Sequence, residues 1–183
     1  LPFYTSVVTF ASATILISGL VAAAVHLIYG GIRFAGRDSK ITKAARVQLA
    51  IAAALYLAIQ GVSLWLDQYQ TMTSSQGLYT GATYADVNAS IPGLQILALI
   101  SAVVAVLFLF TAAVGKWRLP IMGTSLMVVS SLVLGGLYPW IVQTFQVVPN
   151  ERTLEAEYIN RNIEATRIAY GLDKVENVDY KAT

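Results

Sequence analysis

Four stretches of this chain are each apolar over about a membrane thickness, and nothing else in the sequence constrains the fold as tightly. A helix needs about 20 predominantly apolar residues to cross the roughly 30 Å hydrocarbon core of a bilayer. Four windows qualify, over about 7–29, 44–66, 94–114 and 119–145. The first, VVTFASATILISGLVAAAVHLIY, and the third are apolar all round. A soluble helical bundle would instead show polar faces at a 3.6-residue period. The second window is diluted by Arg46, Gln48 and Gln60, but Arg46 lies at its start, where a long basic side chain can snorkel to the interface. The expected fold class is therefore all-α: a polytopic membrane helix bundle with four transmembrane helices in this chain, covering 1–145, and a short extracytoplasmic helix after the last one.

Charge supports this reading. Charged residues are 12% of the chain, half of the roughly 25% usual in soluble domains, and they are segregated. Seven of the ten acidic residues follow residue 150. A net charge of +2 with no basic stripe among aromatics argues against a nucleic-acid partner. Without cysteine, disulfides, thiolate nucleophiles and cysteine-ligated metals are excluded. The chain opens on LPFYTSVV, with neither the positive n-region nor the small-residue cleavage site of a signal peptide. The expectation is a piece of a longer polypeptide.

Lys and Arg favour the cytoplasmic side in short loops. Residues 30–46 carry Arg33, Arg37, Lys40, Lys43 and Arg46, and residues 115–118 carry Lys116 and Arg118. The connection 67–93 has neither Lys nor Arg. Both basic loops are expected to be cytoplasmic in a bacterial plasma membrane. The 67–93 loop, the N-terminus and the tail 146–183 are then extracytoplasmic. Trp65, Tyr69, Tyr138 and Trp140 fall near the outer helix ends and Trp117 near an inner one, as an aromatic belt would place them. Pro92 and Pro120 are expected at first helical turns, where no needed hydrogen bond is lost, and Pro139 should kink the last helix. Small residues at four-residue spacing (Ala50, Ala54 and Ala58; Gly19 and Ala23; Ser131 and Gly135) suit close helix packing.

Little in these windows suggests chemistry. His26 is the single histidine and an intramembrane ionisable group, hence a candidate for a proton relay. Its nearness to Tyr29 and the basic loop favours a structural role, and no second ligand at metal spacing accompanies it. Gln60 and Gln95 are weaker intramembrane candidates, explicable by helix packing. At the outer surface Asp67 and Asp86 could serve acid–base chemistry or hold a hard cation. The simpler reading makes Asp67 a polar stop and TYADVN a turn or short interfacial helix. Gly30 and Gly31, in YGGIR, suit a helix C-cap rather than a phosphate loop. No catalytic, cofactor-binding or metal-binding residue is assigned.

The tail has helix signals of its own. Asn150 after Pro149 is a candidate N-cap, with Glu151 and Glu155 in the early turns. Arg167 and Gly171 suit its C-terminal end. Leu154, Tyr158, Ile163 and Tyr170 give it an apolar side that needs a docking surface, either the outer loop or a further domain. The final ENVDYKAT reads as the start of another element.

Taken in order, LPFY, YGGIR, YTGATYADVNA, WRLP, GGLYPWIVQTFQVVPNE and YINRNIEATRIAYGL resemble the bacterial integral-membrane family catalogued as uncharacterised protein family 0182, across nearly the whole chain. The resemblance implies seven membrane helices followed by a large extracytoplasmic region. This chain would supply the last four helices and the linker, and the rest of the polypeptide would be its partner beside the lipid bilayer and other membrane subunits. No catalytic residue or ligand comes with the resemblance. Three functions stay open: a non-enzymatic membrane anchor for an extracytoplasmic domain, within an envelope complex; a transporter or lipid-handling protein with a path near His26, Gln60 and Gln95; and a membrane enzyme whose active site lies outside this chain.

Overall fold

The computed structural model describes residues 2–35, 38–73, 81–172 and 174–175. Arg37, the centre of the 67–93 loop and ENVDYKAT lie outside the described residues. The apolar windows form four helices long and apolar enough to cross a membrane. These are α1 (Pro2–Ile28), α2 (Lys43–Asp67), α3 (Asp86–Val114) and α4 (Arg118–Leu154). A fifth helix, α5 (Ala156–Ala169), follows a one-residue break at Glu155.

Between α1 and α2 the chain forms an antiparallel hairpin, β1 (Ile32–Ala35) and β2 (Asp38–Ile41), with Ile32 opposite Ile41. The sequence shows only a basic connection there. Gly30 makes the turn possible, since its φ of 71° lies in the left-handed region that a Cβ disfavours. The Thr42 N–H returns to the Gly31 carbonyl at 2.9 Å, and the Thr42 hydroxyl caps α2 by accepting from the Ala45 N–H. The bundle thus has a hairpin end and an opposite tail end.

The helices stand side by side in sequence order, each packed mainly on its chain neighbours, with α1 and α4 at the edges. The core is the α2–α3 seam. Ala50, Ala54 and Leu57 face Val104, Ala105 and Phe108, and Gly61 lies against the Ala98 carbonyl. Alanine and glycine here let the backbones approach, which matters where lipid removes the hydrophobic incentive to associate. Ser101, fully buried, donates to the Leu57 carbonyl across the seam at 2.6 Å. Gly19 of α1 rests on the Ala52 methyl of α2, and Gly123 of α4 on Val104 and Leu107 of α3. Ser131 and Gly135 of α4 make no close backbone approach to α3 within this chain. Both are exposed, and the close approach of α3 to α4 falls instead on Gly93 and Leu134. Trp117, half-buried, packs edge-on against Phe108 at 6.4 Å.

The prolines show a common local solution. Pro92 stands in the first turn of the α-helical part of α3, Ile91–Val114, but the π turn Asp86–Ser90 and the helical residues Tyr84 and Ala85 run into it without a break, so the helix opens at Tyr84. Ahead of Pro92, Pro139 and Pro149 lie π-helical segments Asp86–Ser90, Val133–Leu137 and Val142–Val147. In each case the residue before proline bonds five residues back: Ile91 to Asp86, Tyr138 to Val133, Val148 to Gln143. Proline lacks an N–H and its ring collides with the carbonyl four residues earlier. Widening the preceding turn by one residue moves that carbonyl aside, so the helix continues past the proline. This is why α4 runs past 145 to Leu154. At about 1.5 Å per residue it is about 55 Å long, well beyond the hydrocarbon thickness.

Candidate functional site at the tail end

The π segments lie at the amino end of α3 and in the middle and the tail-end half of α4, and the tail docks beside the first of them. Its centre is Tyr84. Thr83 and Asp86 form a capping box: the Asp86 carboxylate accepts from the Thr83 N–H at 3.1 Å and its hydroxyl at 3.0 Å, while the Thr83 hydroxyl accepts from the Asp86 N–H at 3.3 Å. The next free donor, the Tyr84 N–H, is taken from 71 residues away. Both carboxylate oxygens of Glu155 lie on it, at 3.1 and 3.2 Å. Glu155 is only 6% exposed, and a buried carboxylate is costly without hydrogen-bond donors. The amino end of a helix offers both a donor and the positive end of the macrodipole.

Other tail groups converge on the same residue. The Gln146 amide donates to the Tyr84 hydroxyl at 3.2 Å, and Tyr158 meets the Tyr84 ring edge-on at 6.3 Å. Beneath them Ala85, Ala89, Val142 and Val147 form a small buried cluster, with Tyr84 and Leu154 packed on it. Burying a side chain such as Val147 contributes about 1.5–3 kcal/mol. Beyond Tyr158 the α5 helix is held by its own devices. Glu157 pairs with Arg161, and the end closes on Gly171 (φ 67°) as a Schellman motif, with Leu172 N–H on the Arg167 carbonyl at 2.7 Å. Ile163, Ile168 and Tyr170 remain exposed.

The sequence-derived candidates are dispersed. Asp86 is the helix cap just described, a role legible in the spacing Thr83-Tyr84-Ala85-Asp86. Asp67 accepts from the Gln70 amide at 3.2 Å and the Tyr4 hydroxyl at 3.5 Å, tying α1 to α2. The two aspartates serve separate networks. Gln95 donates to Gln68 at 2.8 Å, tying α2 to α3 at the tail end. Gln60 turns to Tyr56 of its own helix, at 2.8 Å. His26 lies at the hairpin end with Nε2 3.0 Å from the Gln48 Oε1, a tie between α1 and α2. His26, Gln60 and Gln95 thus do not converge on one path. Among the described residues no group of three His, Cys, Asp or Glu could hold a metal. Between α2 and α3 an open groove of about 550 Å³ is apolar apart from Gln95 at one end.

Two expectations for the tail are corrected. Asn150 makes no side-chain cap bond, because the helix arrives through Pro149 rather than starting after it. Glu155 is the N-cap residue of α5, without a side-chain cap bond to that helix. It sits at the break and caps the helix that opens at Tyr84. Sequence inspection missed this pair because nothing local joins residues 84 and 155.

The family model described as uncharacterised protein family UPF0182 matches residues 1–183. The chain belongs to this family. Similar UPF0182 proteins include that of Clavibacter sepedonicus, 55% identical over 185 residues, that of Leifsonia xyli subsp. xyli, 51% identical over 185 residues, and that of Arthrobacter sp. strain FB24, 45% identical over 183 residues. Each match covers 100% of this chain but only 18–19% of the relative, so the chain spans about a fifth of the length of these UPF0182 relatives. No solved structure matches.

Proposed function

We propose that this chain is a non-enzymatic multi-pass segment of a UPF0182 protein in the bacterial plasma membrane. Its role is to anchor and orient an extracytoplasmic region of the longer polypeptide. The observation that carries this reading is α4, a helix of 37 residues that continues past the apolar window to Leu154, then meets the docked α5. A helix that only had to cross would stop at the interface. One that runs on gives the polypeptide beyond it a fixed direction. The orientation rests on the basic residues gathered at the hairpin end, on the aromatic girdle of Trp65, Tyr69, Tyr138 and Trp140 at the tail end, all substantially exposed, and on the positive-inside rule. The dispersal of His26, Gln60 and Gln95 gives a transport path no support.

The test is labelling of single cysteines in intact cells with a membrane-impermeant thiol reagent, using Arg118→Cys and Asn160→Cys in the full-length protein. Both positions are exposed. Modification at position 160 alone is the expected result. Modification at 118 alone reverses the orientation, and modification at both removes the membrane reading.

A further inference from the structure

We propose that the Glu155–Tyr84 contact is a latch, which makes the position of α5 act on α3 as well as on α4. The proposal deepens the anchoring function and rests on it. Chain connectivity alone would couple the tail only to α4, and it would couple it poorly. Between Val133 and Glu155 the backbone passes through two π segments, a 3-10 turn at Val148–Asn150 and the break at Glu155. In each of these the i to i−4 ladder is interrupted, which is where helices bend. A tail joined through such a connection would swing.

What restrains it is contact with Tyr84. Gln146, Glu155 and Tyr158, spread over thirteen residues of the tail, all touch Tyr84. Of the three, the Glu155 contact reaches the backbone and uses both carboxylate oxygens on one amide. It therefore engages the helix itself rather than a side chain that can rotate away. The helix it engages is also jointed, since the Asp86–Ser90 π segment lies immediately below and touches the Val133–Leu137 segment of α4. Two π-helical segments, one at the amino end of α3 and one in the middle of α4, are thus packed on each other beside one buried carboxylate. Movement of the region beyond α5 would pull on Glu155 and so on the amino end of α3, whose other end lies in the α2–α3 core.

The experiment is a distance measurement by pulsed electron resonance on the full-length protein in nanodiscs. Spin labels replace the exposed Asn88 and Asn160, on a background free of other reactive cysteines. With Glu155 in place a single narrow distance distribution is expected. Glu155→Ala should raise the displaced population at least about tenfold, the equilibrium effect of losing a hydrogen bond to a charged group. Glu151→Ala, a change at an exposed glutamate of the same stretch, should leave the distribution narrow. An unchanged distribution in Glu155→Ala, or equal broadening in Glu151→Ala, overturns the latch. Cysteine labelling at positions 118 and 160, repeated in Glu155→Ala, should keep its pattern. The failure of the latch and the failure of the anchoring orientation are therefore read separately.

Discussion

Gly93 of α3 lies directly against the main-chain carbonyl of Leu134 in α4, so close that a Cβ added at Gly93 would stand 2.8 Å from that oxygen. Leu134 is five residues before Pro139, which has no N–H to offer it. The glycine therefore fits over the carbonyl that a π turn ahead of a proline leaves facing outward. The π turn in α4 and the backbone approach from α3 are two sides of one arrangement.

Gly93→Ala should accordingly destabilise the α3–α4 pair by about 1–3 kcal/mol, the usual cost of overpacking a close contact. Gly136, with nothing within 4 Å of an added Cβ, is the control. Gly136→Ala should be neutral or gain up to about 1 kcal/mol from helix propensity. Reversible unfolding in detergent micelles reads both, and equal effects would remove the close contact as the cause.

Ser101→Ala should cost about 0.6 kcal/mol and at most about 1.7 kcal/mol, the measured span for side-chain hydrogen bonds between membrane helices. Ser101→Val should cost more, because it loses the same hydrogen bond and also adds volume at a position that is 0% exposed within the seam. The same unfolding assay ranks them. A valine variant as stable as wild type would show that the seam is looser than its geometry.

Removal of the capping box by Thr83→Ala should cost about 1 kcal/mol and speed amide exchange at Asp86, the donor that loses its partner. The Tyr84 amide, held by Glu155, should keep its protection. Exchange followed by mass spectrometry separates the two, and a matching loss at Tyr84 would mean that the local cap and the tail contact are one cooperative unit.

His26→Gln should leave assembly and cellular phenotype nearly intact, since a glutamine can still hydrogen-bond Gln48. Membrane yield and a deletion-complementation assay measure this. Complete loss of function at normal protein level would instead give His26 a chemical role.

The range of the interactions behind each feature decided whether it was legible in the sequence. The apolar windows and the glycine stops at Gly30 and Gly171 depend on residues within a few positions of one another. The Thr83–Asp86 cap was equally legible and lies in four consecutive residues. Prolines 92, 139 and 149 announce a disturbance, but whether a helix ends or widens depends on what receives the displaced carbonyls, and that is a packing question.

By itself the sequence determined that the chain forms four long apolar helices and which ends carry the basic loops, because helix length, apolarity and charge are local sums over consecutive residues. Only the tertiary structure decided that α4 continues to Leu154, that Gly93 rather than Gly135 seats α3 on α4, and that Glu155 caps a helix opening 71 residues earlier. Each of these turns on where a backbone amide or carbonyl finds its partner once the helices are side by side, and no spacing within one segment encodes that.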